Sequence, residues 1–342
     1  MRRLLRPVLC AAVLVPAVLS SPAVALAADG AEGPGTSSFT ISDPRIKESS
    51  GLAASRKHPG VYWTHNDSED GPYLYAVDSA SGRTVARVTM TGVGRPRDVE
   101  GISLGPDGNL YVGDIGDNAD GSWNHVWIYR LPEPDRLADT TVKATQFTVR
   151  YADGARNAEA LMVHPVTGRV YIASKSEDSG HLYEGPARLS ASGTNVFRRV
   201  GDVPWVTDGA FSPDGRQLVL RGYFFAETYP WKDGRAVGEG ERVNAPFQGQ
   251  AEAVTYSPDG STLMFGSEGE GSRVVAVPVP GRAADGTPDA TRPGAKPGAA
   301  AAGGGTGGAA AEGGGGFTVG AVVLVLGAAA LLAMRRLLRR GD

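Results

Sequence analysis

The sequence predicts an all-β fold, a single β-propeller, from three observations. A strand–turn–strand phrase occurs five times in the chain. Its aligned positions, Ser50, Glu100, Glu159, Asp208 and Glu252, are 50, 59, 49 and 44 residues apart. Each copy is followed by room for further short strands. A period of that size built on short strands is the signature of blades set around a central channel. Five blades are expected, with six as the runner-up because the 59-residue interval is long.

In chain order, residues 1–27 read as a secretory signal peptide. Arg2, Arg3 and Arg6 precede an apolar run that ends in Ala25-Leu26-Ala27, a small-x-small cleavage pattern. The single cysteine, Cys10, lies inside that segment, so no disulfide is expected in the exported protein. The propeller ectodomain is expected over 38–280. Its first blade contains Ser50-Gly-Leu-Ala-Ala and Val61-Tyr-Trp-Thr-His-Asn-Asp67. The second has Glu100-Gly-Ile-Ser-Leu, the turn Gly105-Pro-Asp-Gly108 and Leu110-Tyr-Val112. The third has Glu159-Ala-Leu-Met-Val, the turn His164-Pro-Val-Thr-Gly168 and Val170-Tyr-Ile. The last two turn on Ser212-Pro-Asp-Gly215 and Ser257-Pro-Asp-Gly260. Pro presets φ in such turns and Gly accepts positive φ, so these aspartates carry no chemistry. His58 and His164, in equivalent turns, are expected to be solvated. Outer strands are expected at Tyr73–Val77 with Thr84–Thr89, and at Val126–Arg130 with Thr145–Tyr151. The fifth blade, ending at Arg273–Pro278, lacks an outer strand. Phe39-Thr-Ile-Ser42 can supply it and close the ring, removing two exposed sheet edges.

Beyond the propeller, residues 281–316 include 27 Gly, Ala or Pro among 36 and read as a disordered linker. Residues 317–334 are uncharged, and as a helix of roughly 27 Å they match one hydrocarbon core. Arg335, Arg336, Arg339 and Arg340 follow, so 335–342 is expected to be a cytoplasmic basic tail and the helix a membrane anchor. The exported part then keeps 27 basic and 36 acidic residues, a net charge of −9. That balance excludes phosphate-backbone binding, so no nucleic-acid partner is expected, and it suits a cation.

In a blade the innermost strand lines the channel, and the loop after the second strand returns to the same mouth. One mouth should therefore gather Glu100, Glu159, Asp208 and Glu252 with the loop residues His65, Asn66, Asp67, Asp114, Asp117 and Asn118. Like charges so close cannot all ionise without a counter-charge. A hard divalent cation answers that need, and Ca²⁺ tolerates irregular sets of six to eight oxygens. The metal candidates are Glu100, Glu159, Asp208, Glu252, Asp67, Asp114 and Asp117. The competing expectation is local neutralisation by Lys47, Arg95, Arg97 or Arg156. If the site hydrolyses a phosphate or carboxylate ester through metal-bound water, Glu100 or Glu159 is the candidate base and His65 the proton donor. The alternative for His65 is a hydrogen-bonded histidine that locks its loop. Trp123, Trp127, Trp205 and Trp231 are expected to pack between blades. No His-Glu-x-x-His helix, phosphate loop or dinucleotide fingerprint occurs.

Ser-Gly-Leu-Ala-Ala-Ser at 50–55, Tyr-Trp-Thr-His-Asn-Asp-Ser at 62–68, Asp-Val-Glu-Gly-Ile at 98–102, Gly-Asp-Ile-Gly-Asp-Asn at 113–118 and Ala-Glu-Ala at 158–160 carry a family resemblance. The chain resembles secreted or membrane-anchored bacterial β-propellers described as WD-repeat-like or phytase/esterase-like. The resemblance implies the propeller fold over about 40–280 and, by likeness to propeller phytases, an acidic mouth that takes calcium. Three functions follow as expectations. One is a cell-surface propeller binding a divalent cation and, through it, a small anionic ligand or a surface protein. The others are an extracellular metal-dependent phosphoesterase or esterase, and a purely structural surface module.

Overall fold

Turn chemistry sets the first level of the fold. Gly108, Gly215 and Gly260 close the Pro-Asp-Gly hairpins with φ of 71°, 69° and 72°, a region L side chains avoid. The computed structural model describes residues 35–281 apart from Glu69, Asp120 and Ser179. These belong to one compact unit. The expected signal peptide and membrane helix, and all of the linker beyond Gly281, lie outside the described residues. Among the described residues there are only strands, and no helix is long and apolar enough to cross a membrane.

After β1 (Phe39–Thr40), a first antiparallel meander runs through β2 (Ala53–Ala54), β3 (Val61–Thr64), β4 (Tyr73–Asp78) and β5 (Thr84–Thr91). The second uses β6 (Val99–Leu104), β7 (Asn109–Asp114) and β8 (Val126–Pro132). The chain then lays β9 (Thr140–Lys143) parallel to β5 before β10 (Thr145–Tyr151) completes the second meander. The third consists of β11 (Ala158–Val163), β12 (Val170–Ser174), β13 (Gly180–Glu184) and β14 (Thr194–Val203). Parallel pairing of β14 with β10 joins the second and third into one eight-stranded sheet. In the fourth, β15 (Asp208–Phe211) and β16 (Gln217–Gly222) lead to β17 (Phe225–Lys232). Both β18 (Arg235–Ala236) and β19 (Glu241–Arg242) pair with β17. The fifth has β20 (Ala253–Tyr256), β21 (Thr262–Gly266) and β22 (Arg273–Pro278). Its fourth strand is β1, with Phe39 opposite Val274 and Thr40 opposite Arg273.

The leading strands pack side by side. Strand β6 lies on β11, β11 on β15 and β15 on β20, while β2 touches both β6 and β20. The arrangement is β-propeller-like, and five apolar clusters fill the spaces between neighbouring meanders. Between the first and second, Trp63, Leu74, Val88, Leu110 and Tyr129 are buried. Each such side chain contributes roughly 1.5–3 kcal/mol when removed from water. Trp63 also needs a polar partner, and its indole donates to Glu133 at 2.9 Å. His164 is not solvated as expected. It is 7% exposed, its Nε2 lies 3.1 Å from the Gly215 carbonyl of the next meander, and its ring packs on Phe211.

Candidate functional site

Two of the expected acids sit where strand pairing slips. Along β6, Val99 faces Asp114 and Gly101 faces Gly113, which leaves Glu100 as the extra residue of a bulge. Along β11, Ala158 faces Ser174 and Ala160 faces Ala173, which leaves Glu159 in the same situation. A bulge breaks the in–out alternation and re-aims one side chain. Both carboxylates are buried, 4% and 3% exposed. Asp208 opens β15 and Glu252 immediately precedes β20, so the four acids occupy the starting ends of neighbouring inner strands.

Their surroundings differ. Glu159 Oε2 lies 3.0 Å from the Lys175 ammonium, which also donates to the Tyr223 hydroxyl at 3.0 Å. Burial works against the charge on Lys175, yet Glu159, Glu252 and Glu100 together raise its pKa well above the ordinary value. Asp208 accepts from the Gly209 amide at 2.7 Å and the Val254 amide at 2.8 Å, so it stitches β15 to β20. Burial pushes Glu252 up to about 6, and its Oε2 has no hydrogen-bond partner. Glu100 is pushed well above the carboxylate range by burial and by the like charges of Glu159, Asp98 and Asp67.

The tightest convergence of carboxylates is Asp67, Asp98 and Glu100, whose oxygens all lie within 4.8 Å of one another. The loop after β3 supplies Asp67, and the Val99 amide donates to its carbonyl at 2.8 Å. Asn118 Nδ2 donates to Asp98 Oδ2 at 3.0 Å. Gly116 is pressed against this pair: a Cβ there would lie 2.6 Å from Asp98 Cγ and 2.8 Å from Glu100 Oε1. Half-buried Asp67 has its Oδ1 shut from solvent without a hydrogen-bond partner, and burial with the nearby Glu48 pushes its pKa up to about 9. Three hard oxygen donors from two chain segments, one of them orphaned, fit a divalent cation such as Ca²⁺.

Other expected ligands do structural work here. Asp114, wholly buried, accepts from the amides of Arg97 at 3.1 Å and Asp98 at 3.0 Å and from the Tyr129 hydroxyl at 2.6 Å. It thus holds Asp98 from behind. Asp117 accepts from Ser122 Oγ at 3.0 Å and the Trp123 amide at 2.6 Å, which closes its own loop. Asn66 Oδ1 receives the Lys47 and Glu48 amides at 2.9 and 3.0 Å. His65 is 1% exposed and held neutral, its pKa lowered by burial to about 4. Arg97 lies 3.9 and 3.8 Å from the ring centres of Trp123 and Trp127, and Arg156 pairs with Asp153. Lys175 is the cation bonded to Glu159. Sequence reading passed over Asp98, although it stands two residues before Glu100 in the same phrase.

No protein-family model matches the chain, and no curated protein matches it. The family resemblance therefore rests on the motifs alone. Among solved structures, the PQQ-bound aldose sugar dehydrogenase of Streptomyces coelicolor is similar at 13% identity and a TM-score of 0.44, over 72% of this chain and 99% of that one. Hydrazine synthase of Kuenenia stuttgartiensis is similar at 15% identity and a TM-score of 0.35, over 64% of this chain and 61% of the other.

Proposed function

We propose that this chain is a five-bladed propeller, exported and tethered to the outer face of a membrane, that holds a divalent cation at its acidic mouth. Through the cation it engages a ligand or a surface protein. The observation that carries the reading is the convergence of Asp67, Asp98 and Glu100 within 4.8 Å. Lys175, the buried ammonium of the mouth, is bonded to Glu159 instead. Calcium is the favoured ion, because it accepts carboxylates in irregular shells and leaves positions for waters or a ligand.

The test is thermal melting of the soluble 28–280 fragment during calcium titration after chelator treatment. A bound ion stabilises by RT ln(1 + [L]/Kd), about 2.7 kcal/mol at a hundred times Kd. A rise in midpoint at millimolar calcium, abolished in Asp67→Asn and Glu100→Gln, is expected. No rise at any concentration overturns the reading.

One observation favours a second reading, a metal-dependent phosphoesterase or esterase. Glu100 is part of the carboxylate cluster, and burial with the like charges of Glu159, Asp98 and Asp67 moves its pKa well above the ordinary carboxylate value, the direction acid–base work needs. His65, the proton donor expected from the sequence, is buried, and burial lowers its pKa to about 4, so in this reading it would act as a neutral imidazole. Calcium-dependent turnover of chromogenic esters, lost in Glu100→Gln, distinguishes this reading from binding alone.

A further inference from the structure

Four aromatic rings rim the part of the mouth formed by the fourth and fifth meanders. Trp205 stands before β15, Tyr223 and Phe224 join β16 to β17, and Phe247 precedes β20. These loops return to the side where Asp208 and Glu252 begin their strands. Phe224 and Phe247 are 64% and 72% exposed, yet they stack with centroids 6.5 Å apart and planes 23° apart. Tyr223 links them inward, 6.3 Å from Phe224 and 5.4 Å from Trp205 between centroids. Clustered, ordered aromatics left facing water mark an interaction site.

Charge says what fits there. The stretches 203–207, 223–224 and 243–252 contain no lysine or arginine. Tyr223 abuts the acidic floor, because its hydroxyl accepts from Lys175 and stabilises the Glu252 carboxylate. Glu252 is 5% exposed with one oxygen unpartnered. Glu159, Glu252 and Glu268 interact there against Lys175, which is bonded to Glu159. The guanidinium of Arg221 is occupied by the carbonyls of Ala253 and Gly266 and by Gln248. An anionic ligand would meet like charge, and anionic lipid would find no basic residue on these loops. A cation with an apolar body meets ring faces and a carboxylate together, the pairing that makes cation–π sites selective for ammonium groups.

We propose that the Trp205, Tyr223, Phe224 and Phe247 rim, with Glu252, is a subsite for a small organic amine, an ammonium group carried on an apolar body. The site is separate from the cation cluster at Asp67, Asp98 and Glu100, and the test is run in chelator so that the two ideas fail independently. The probes are 2-phenylethylammonium, the neutral 2-phenylethanol and the anionic 3-phenylpropanoate, each titrated into the soluble fragment while tryptophan fluorescence and calorimetric heat are followed. The amine is expected to saturate and to bind at least about tenfold more tightly than the alcohol. Phe224→Ala and Phe247→Ala, both at exposed positions, are expected to weaken amine binding at least about fivefold with an unchanged melting midpoint. Glu252→Gln is expected to erase the preference for amine over alcohol. Equal binding of alcohol and amine, amine binding indifferent to both phenylalanine variants, or capture of a lysine-bearing peptide without capture of the free amine would each overturn the proposal.

Discussion

The Lys175 ammonium lies 3.0 Å from Glu159 Oε2, with the two side chains 16% and 3% exposed. This pair explains how several carboxylates share one narrow mouth. Lys175 also interacts with Glu252 and Glu100, so a single cation compensates charge from the second, third and fifth meanders. Removing one member of a buried pair costs more than the pair contributes, because the remaining charge is stranded.

Lys175→Met should therefore lower unfolding free energy by about 3–5 kcal/mol at pH 8. The loss should be smaller at pH 5 than at pH 8, because burial moves the Glu159 pKa upward and protonation removes the stranded charge. Glu159→Gln in the same chain should recover much of the loss. Urea denaturation at the two pH values measures this, and an identical loss at both would remove Lys175 from the role assigned to it.

Gly116→Ala tests the cation cluster by geometry alone. The added methyl would lie 2.6 Å from Asp98 Cγ and 2.8 Å from Glu100 Oε1, so the carboxylates must separate. Calcium affinity read from melting curves should fall at least about tenfold, which is about 1.4 kcal/mol. The midpoint in chelator should change much less, since the methyl relieves repulsion while it strains the loop. Unaltered calcium affinity would mean that Asp98 and Glu100 do not share an ion.

Much of this was legible in the sequence, and the reasons are specific. Pro-Asp-Gly fixes a turn by local sterics, so the hairpins at Gly108, Gly215 and Gly260 needed no tertiary knowledge. The pairing of Phe39 with Val274 followed from a missing outer strand. The parallel additions of β9 to β5 and β14 to β10 were not legible, because strand propensity does not name a partner. The repeat column located Glu100 and Glu159 but hid Asp98, two residues before Glu100, a position where the first copy alone of the others has an acid, Glu48. Composition likewise could not separate Asp208 and Asp114, whose oxygens are taken up by amides, from acids that face one another.

That distinction yields a prediction for Asp208. Its two oxygens accept the Gly209 and Val254 amides, and an Asn amide would turn one acceptor into a donor facing N–H. Asp208→Asn should cost about 1–3 kcal/mol through the unpaired buried amide. The calcium-induced rise in midpoint should be preserved. Loss of that rise would place Asp208 among the ligands.

The acid cluster also fixes the sign of the pH response. Burial and like charge raise Asp67 to about 9, and Glu100 also moves up. Such groups stay protonated in the folded chain after they ionise in the unfolded one. Stability without metal should therefore be full below about pH 4 for these groups and decline as pH rises towards 9. An ion must displace those protons, so calcium affinity should increase by up to about tenfold per pH unit per proton released. Asp67→Asn should flatten both trends. Melting from pH 5 to 9 with chelator and with calcium reads them together, and metal affinity independent of pH would exclude Asp67 from the shell.

Ring closure gives the last test. Strand β1 is short, but Phe39 is 7% and Ile41 1% exposed, and the Ile41 amide donates to the Ser272 carbonyl at 2.9 Å. Starting the soluble fragment at Asp43 removes both side chains and uncovers the edge of β22. Truncating Ile41 alone to Ala should cost about 2–5 kcal/mol from the lost apolar volume and its cavity. The Asp43 start should cost more and add self-association, because an unpaired edge recruits strands from other chains. Size-exclusion chromatography beside thermal melting separates the two effects. A monomeric fragment with an unchanged midpoint would show that the ring holds without its amino-terminal strand, so its closure would have to come from packing between meanders alone.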